Sequence, residues 1–199
     1  IVGMYGVQAQ NLLKKAATLD IKIICPLHGP VLSENLGYYI DLYNTWTTYK
    51  AESDGVLIAY TSIYGNTKKA VLLLKDELEK LGCPKVVLCD LARDEISEAV
   101  EDAFKYPNIV LATTTYNGSI FPFMNNFLEI LIEHKIQNKR IGIIGNGSWA
   151  NQVDKVIIKK LEQTKNNTIL ENKVSILSAV SDKNIEEIKL LAKEMMKID

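Results

Sequence analysis

From Val56 onward the chain alternates short apolar runs with amphipathic stretches, at roughly 25 to 30 residues per pair, the rhythm of βαβ units. The first run, Val56-Leu57-Ile58-Ala59-Tyr60, precedes a helical pattern over Asn66–Leu81, in which Ala70, Leu73, Leu74, Leu78 and Leu81 recur at i, i+3, i+4. Gly82 is placed to end that helix. Val86–Cys89, Ile109–Ala112, Arg140–Ile144 and Val174–Leu177 read as four further strands. The intervening helices are predicted over Glu95–Lys105, from Pro122, over Trp149–Glu162 and over Ile185–Ile198. The strands are near-continuous in Val, Ile and Leu rather than alternating with polar residues. That pattern belongs to a parallel sheet covered by helices on both faces. Residues 56–199 therefore predict a doubly wound α/β domain with a five-stranded parallel sheet.

Residues 1–50 follow a different rhythm. A helical stretch over Tyr5–Leu19 leads to a strand-like Ile21-Lys22-Ile23-Ile24-Cys25, a Pro26-Leu27-His28-Gly29-Pro30 turn and a helix to about Tyr49. About 50 residues bury too little surface to be a self-sufficient domain. The boundary is placed at a short polar linker, residues 51–55, ending in Gly55. The first five residues carry neither a basic stretch nor a cleavage site, which argues against a signal peptide, and position 1 is Ile rather than Met, so the chain reads as cut from something longer.

Charge narrows the partners. With 23 Lys+Arg against 24 Asp+Glu, a net charge of −1 and only two arginines, the surface offers no field for a polyanion, so nucleic acid and anionic membranes are not expected partners. No window holds the roughly 20 apolar residues a membrane span needs. Cys25, Cys83 and Cys89 form no CxxC pair and are read as buried, reduced thiols of a cytoplasmic protein.

In an open parallel sheet, ligands bind beyond the carboxyl ends of the strands. Three such loops carry chemistry here. The first, Thr61-Ser62-Ile63-Tyr64-Gly65-Asn66-Thr67, is rich in hydroxyls and opens a helix that Asn66 or Thr67 would cap. Free N–H groups at that helix start make a site for one phosphate monoester. Neither G-x-x-x-x-G-K-[ST] nor G-x-G-x-x-G is present, which disfavours a nucleoside triphosphate and a dinucleotide. The second loop, Thr113-Thr114-Thr115-Tyr116-Asn117-Gly118, contains an Asn-Gly pair suited to φ > 0. The third, Gly145-Asn146-Gly147-Ser148-Trp149, offers backbone amides and a large aromatic. Tyr116 and Trp149 together suggest a flat ring held against aromatics.

These three loops resemble those of a flavodoxin-like domain with strand order 2-1-3-4-5, and most closely the flavodoxin domain of flavodiiron proteins (A-type flavoproteins). The family's second loop usually reads Ser-Pro-Thr where this chain has Thr113-Thr114-Thr115, and its third Tyr-Gly-Trp where this chain has Gly147-Ser148-Trp149. In that family a metallo-β-lactamase-like domain comes first and closes on a strand and a Pro-x-His-Gly-Pro turn, which Pro26–Pro30 matches. The resemblance implies that residues 1–50 are the end of that domain and that His28 is the last histidine ligand of its di-iron centre. The other ligands, from an H-x-E-x-D-H segment, are not in this chain; the only other histidine is His134, so the metal site is incomplete here.

The resemblance further implies an FMN cofactor. Thr61, Ser62, Ile63, Tyr64, Gly65, Asn66 and Thr67 would hold its phosphate; Thr114, Thr115, Tyr116, Asn117 and Gly118 would face its reactive edge. Amides of Asn146, Gly147 and Ser148 would meet the pyrimidine carbonyls, with Trp149 on the ring. It also implies electrons arriving from a rubredoxin-type or reductase donor and passing to a di-iron site that reduces O2 to water or NO to N2O, in a head-to-tail homodimer of the intact protein. A second reading is a stand-alone flavodoxin-like electron carrier or FMN-dependent NAD(P)H:quinone reductase; the Pro26–Pro30 segment argues against it. A phosphoacceptor receiver domain is disfavoured because strands one and three end in Thr61-Ser62 and Thr113-Thr114 rather than acids.

Overall fold

The structure, a computed structural model, describes residues 2–197, which fall into two compact units dividing between Glu52 and Ser53. In the second unit, β1 (Val56–Tyr60), β2 (Val86–Asp90), β3 (Asn108–Tyr116) and β5 (Arg140–Gly147) form the parallel core in the order β2-β1-β3-β5. The fifth position is shared. β6 (Thr168–Ile169) pairs with the start of β5, and β7 (Val174–Leu177) pairs with its end. β4 (Ser119–Ile120) turns back antiparallel on the end of β3. The expected order 2-1-3-4-5 thus holds, with the last strand broken in two.

Alternation along each strand sends residues to opposite faces. Val56, Ile58 and Tyr60 of β1, with Val110, Ala112, Ile144, Val174 and Ile176, pack under α3 (Asn66–Lys80) and α7 (Asp182–Met196). Leu57 and Ala59, with Ile109, Leu111, Ile141 and Ile143, pack under α4 (Ile96–Lys105), α5 (Pro122–Glu133) and α6 (Val153–Leu161). Both faces being covered is why the strand sequences are apolar throughout. α3 ends as Gly82 predicts. Gly82, at φ +83°, donates its N–H to Glu79 O, and Cys83 N–H reaches Leu78 O.

Element ends depart from the sequence reading in instructive ways. β3 and β5 run on through Thr113–Tyr116 and Gly145–Gly147, which their polar residues mark as loops. β-Branched threonines suit a pleated strand; Thr113 and Thr114 pair with Gly145 and Asn146, β4 pairs Thr115 and Tyr116, and β7 pairs the far side of the β5 end. α6 opens at Val153, not Trp149, because the Asn151 Oδ1 accepts the Val153 N–H and fixes the first turn there. α7 opens at Asp182, three residues early, on a Ser181/Asn184 capping box; Ile198, its expected last residue, lies outside the described residues.

α7 also closes the outer side of the broken strand. The Ser175 N–H donates to Glu187 Oε2, the Ser175 carbonyl accepts from Asn184 Nδ2, and the N–H groups of Glu171 and Asn172 donate to Glu194.

The first unit holds α1 (Gly6–Ala16) and α2 (Leu36–Thr47), after a 3-10 turn at Val2–Tyr5. Gly6 lies against the backbone of Thr47, where no Cβ fits. Gln10 Nε2 donates to Thr47 Oγ1 (2.6 Å) and Asn44 Oδ1. The expected strand Ile21–Cys25 is absent: a strand needs a ladder, and among the described residues this run makes one antiparallel bridge, Ile24 with Leu32, across the Pro26–Pro30 turn. Cys25 is exposed beside that turn, not buried as expected, whereas the Cys89 thiol is buried and pushed up to about 11. Among the described residues no helix is long and apolar enough to cross a membrane.

Lys139, at the entry to β5, donates from Nζ to the carbonyls of Phe104 and Tyr106, both at 2.7 Å. Burial pulls its pKa from 10.5 down to about 8. Between those values the unfolded chain holds a proton that the folded chain has released, so the Lys139 contribution to stability rises with pH across this window and is smallest below pH 8. Urea midpoints of the parent, minus those of Lys139→Met, should therefore climb between pH 7.5 and 10; a constant difference would contradict the assignment.

Candidate functional site

At the carboxyl ends of β1, β3 and β5 lies an open cavity of about 210 Å3. It is lined by Ser62, Ile63, Tyr64, Asn66 and Thr67 after β1, Thr114 and Thr115 of β3, and Asn146, Gly147 and Ser148 at the end of β5, with Ser178 beyond β7. None of these side chains is charged. Ten of the residues singled out from sequence thus meet in one place.

The β1–α3 connection is shaped by backbone. Gly65, at φ +87°, is the N-cap of α3 and makes no side-chain cap bond, so neither Asn66 nor Thr67 plays the capping role expected from sequence. Gly65 tolerates the left-handed turn that puts the helix start at the cavity. The Ser62 hydroxyl instead accepts the Lys68 N–H at 3.2 Å. The backbone N–H groups of Ile63 to Thr67 donate to no acceptor among the described residues, leaving the positive end of a 15-residue helix facing the opening.

The floor is polar and mostly knit together. Thr61 and Thr113 hydroxyls share a 2.6 Å hydrogen bond, which puts Thr61 beneath the cavity, fully buried, rather than in its wall. Asn146, buried, donates from Nδ2 to Thr67 Oγ1 (3.4 Å) and to the Ser178 carbonyl (3.2 Å). Thr115 Oγ1 accepts from Gln152 N–H at 3.0 Å. Thr114 stands apart: the residue lines the cavity, but its hydroxyl oxygen is buried beneath that surface and has no partner among the described residues. A buried hydroxyl left unpaired costs free energy.

Asn117 and Gly118, at φ +47° and +71°, make the two-residue turn between Tyr116 and Ser119, which bears out the φ > 0 expected of Asn-Gly. This turn stands outside the cavity wall, and the Tyr116 ring packs edge-on to Phe121 at 5.5 Å. Trp149 likewise is not in the wall. It is 97% exposed and Tyr64 is 91% exposed, so two large aromatic faces stand free near the opening. The Gly147–Asn151 bend carrying Trp149 is held from below: Asn151 Nδ2 donates to Ser175 Oγ and occupies the space a Cβ on Gly145 would need.

Ser178 is the lining residue that sequence reasoning missed. The rule that ligands sit at carboxyl ends applies to the fifth strand as well as to the first, third and fourth, and Ser178 directly follows Leu177. His28 is exposed in the first unit, and among the described residues no three His, Cys, Asp or Glu side chains gather as a metal site.

Chemically, the cavity offers neutral hydroxyls, unpaired amides and a helix start for one anionic group, with exposed aromatic surface for a flat ring. The family described as flavodoxin domain matches residues 57–197. The chain is 28% identical over 129 residues to an uncharacterized protein of Methanocaldococcus jannaschii, covering 64% of this chain and 32% of that one. It is 26% identical over 153 residues to the nitric oxide reductase of Moorella thermoacetica, covering 77% and 38%. The flavodiiron protein of Giardia intestinalis superposes with a TM-score of 0.89 at 21% identity, over 98% of this chain and 49% of that one. The chain therefore spans about a third of the length of these two curated relatives.

Proposed function

Since the chain belongs to the flavodoxin domain family, we propose that it is the FMN-binding, electron-transferring part of a flavodiiron-type protein. The single observation that carries this reading is the uncharged cavity at the β1, β3 and β5 ends, with free helix-start amides. Those donors suit a phosphate monoester held by hydrogen bonds rather than by a cation.

Bound FMN would supply one- and two-electron transfer. The chain's own residues do the rest. Ser62, Tyr64, Asn66, Thr67 and the Ile63–Thr67 amides hold the phosphate. Thr114 and Thr115, from β3, and Gly147 and Ser148, at the end of β5, set the depth of the ring. Trp149 covers a ring face and excludes water, and the Tyr116–Gly118 turn borders the ring's reactive edge.

The wider assignment follows the relatives. Residues 1–50 are proposed to be the end of a metallo-β-lactamase-like domain, residues 51–55 the linker, and His28 a ligand of a di-iron centre completed by upstream residues. Support comes from burial: among the described residues of the first unit only Gly6 and Thr47 are buried, while Val7, Leu12, Leu19, Ile23, Leu27 and Val31 are exposed, as a piece of a larger core would be. The proposed activity of the whole protein is reduction of NO or O2, as a cytoplasmic homodimer fed by a rubredoxin-type or reductase donor.

Titration of the purified protein with FMN tests the site: one FMN per chain, with tight binding and quenched flavin fluorescence, is expected. Trp149→Ala should weaken FMN and riboflavin alike, by about tenfold, the scale of one aromatic–base stack; indifference of both would remove Trp149 from the ring. NAD(P)H oxidation by the isolated chain with no added donor would instead favour a stand-alone reductase.

A further inference from the structure

Ser178 sits where the chain leaves β7, in a backbone conformation that serine seldom adopts. Its φ is +62°, and the Ala179 N–H reaches back to the Leu177 carbonyl at 2.8 Å, closing a three-residue γ-turn of the strained hand. Two further bonds hold it there. The Ser178 N–H donates to the Gly147 carbonyl at 2.9 Å, and its own carbonyl accepts from Asn146 Nδ2 at 3.2 Å. The same Asn146 amide reaches Thr67 Oγ1, at the start of α3. One buried carboxamide thus ties the turn after the fifth strand to the helix start on the far side of β5.

Glycine would take this φ without strain, so what serine adds at this cavity-lining position is a hydroxyl. Among the lining residues Ser178 is the one non-glycine with positive φ. Its neighbours are Asn146 and, through it, Thr67, which places it on the helix-start side of the cavity. We propose that Ser178 is a fourth-loop ligand contact that donates its hydroxyl to the phosphate of the bound mononucleotide, and that Asn146 is the positioning residue that holds it there. This rests on the FMN reading above. The assignment differs from the one sequence implies for Asn146, whose side chain works here as a clamp.

The test compares FMN and riboflavin binding to the full chain by fluorescence quenching. Ser178→Ala and Ser178→Gly should each weaken FMN about tenfold, the loss of one hydrogen bond to a charged group, and leave riboflavin within twofold. Glycine relieves the strained φ, so Ser178→Gly remains informative if Ser178→Ala folds poorly. Asn146→Ala should also weaken FMN selectively, and adding Ser178→Ala to it should cost less than twofold more, because the clamp and the contact act as one unit. FMN affinity unchanged in both Ser178 variants, equal losses for the two flavins, or additive losses in the double variant would each overturn the proposal. Those results are read against a parent that binds FMN; a parent that does not would refute the FMN reading itself.

Discussion

Replacing Asn66 and Thr67 together by alanine is expected to weaken FMN about a hundredfold while changing riboflavin by no more than about threefold. Each polar group hydrogen-bonded to a phosphate contributes about 1.5–3 kcal/mol, and the pair is expected to act through partly shared geometry, so about 3 kcal/mol is the net loss. Riboflavin has the same ring without the phosphate and isolates that term. Thr67 is buried and its hydroxyl accepts from Asn146, so the variant also loses a structural bond. That cost falls on the ligand-free protein, as a drop in melting temperature of about 3 °C for about 1 kcal/mol, and does not discriminate between the flavins. Equal weakening of both would remove the phosphate from this helix start.

The second large effect is expected from Gly145→Ala. Gly145 is buried in β5, and a Cβ there would stand 2.5 Å from Asn151 Nδ2 and 2.6 Å from its Oδ1. Asn151 cannot give way cheaply, because its Oδ1 holds the Val153 N–H and its Nδ2 holds Ser175 Oγ. The added methyl forces out the first-turn cap of α6 and the anchor of the Gly147–Asn151 bend together. A loss of about 2–3 kcal/mol in urea-unfolding free energy is expected, from overpacking plus a lost cap. FMN and riboflavin should both weaken by tenfold or more, since Ser148 and Trp149 ride on that bend. The companion Asn151→Ala should lose the same binding without the clash. Wild-type affinity in Gly145→Ala would show that the bend does not shape the site.

Much of this was readable in the chain, for a physical reason. Strands covered on both faces must be apolar throughout, so Val56–Tyr60 and Ile109–Ala112 announce a parallel sheet with little ambiguity. The Asn117-Gly118 turn and the Gly82 helix end follow from φ > 0 at residues suited to it. What was hidden depends on contacts distant in sequence. Thr113–Tyr116 and Gly145–Gly147 look like loops until they pair with each other and with β4 and β7. The α6 start is set by Asn151 with Ser175, 24 residues away. Ile21–Cys25 has a strand's composition yet lacks neighbours for a ladder. Ser178 escaped because its role rests on Asn146, 32 residues earlier. The candidate site was legible where chemistry is local and illegible where a side chain acts through a distant backbone.

A sheet margin is a standing invitation to stray polypeptide, since any vacant row of main-chain groups can template another strand. On the margin formed by Val174–Leu177 that invitation is withdrawn at Ser175, whose amide and carbonyl are already committed to Glu187 and Asn184. A neighbouring chain therefore finds no free rung at Ser175, and growth of the sheet into intermolecular aggregates is blocked at that point by α7 itself.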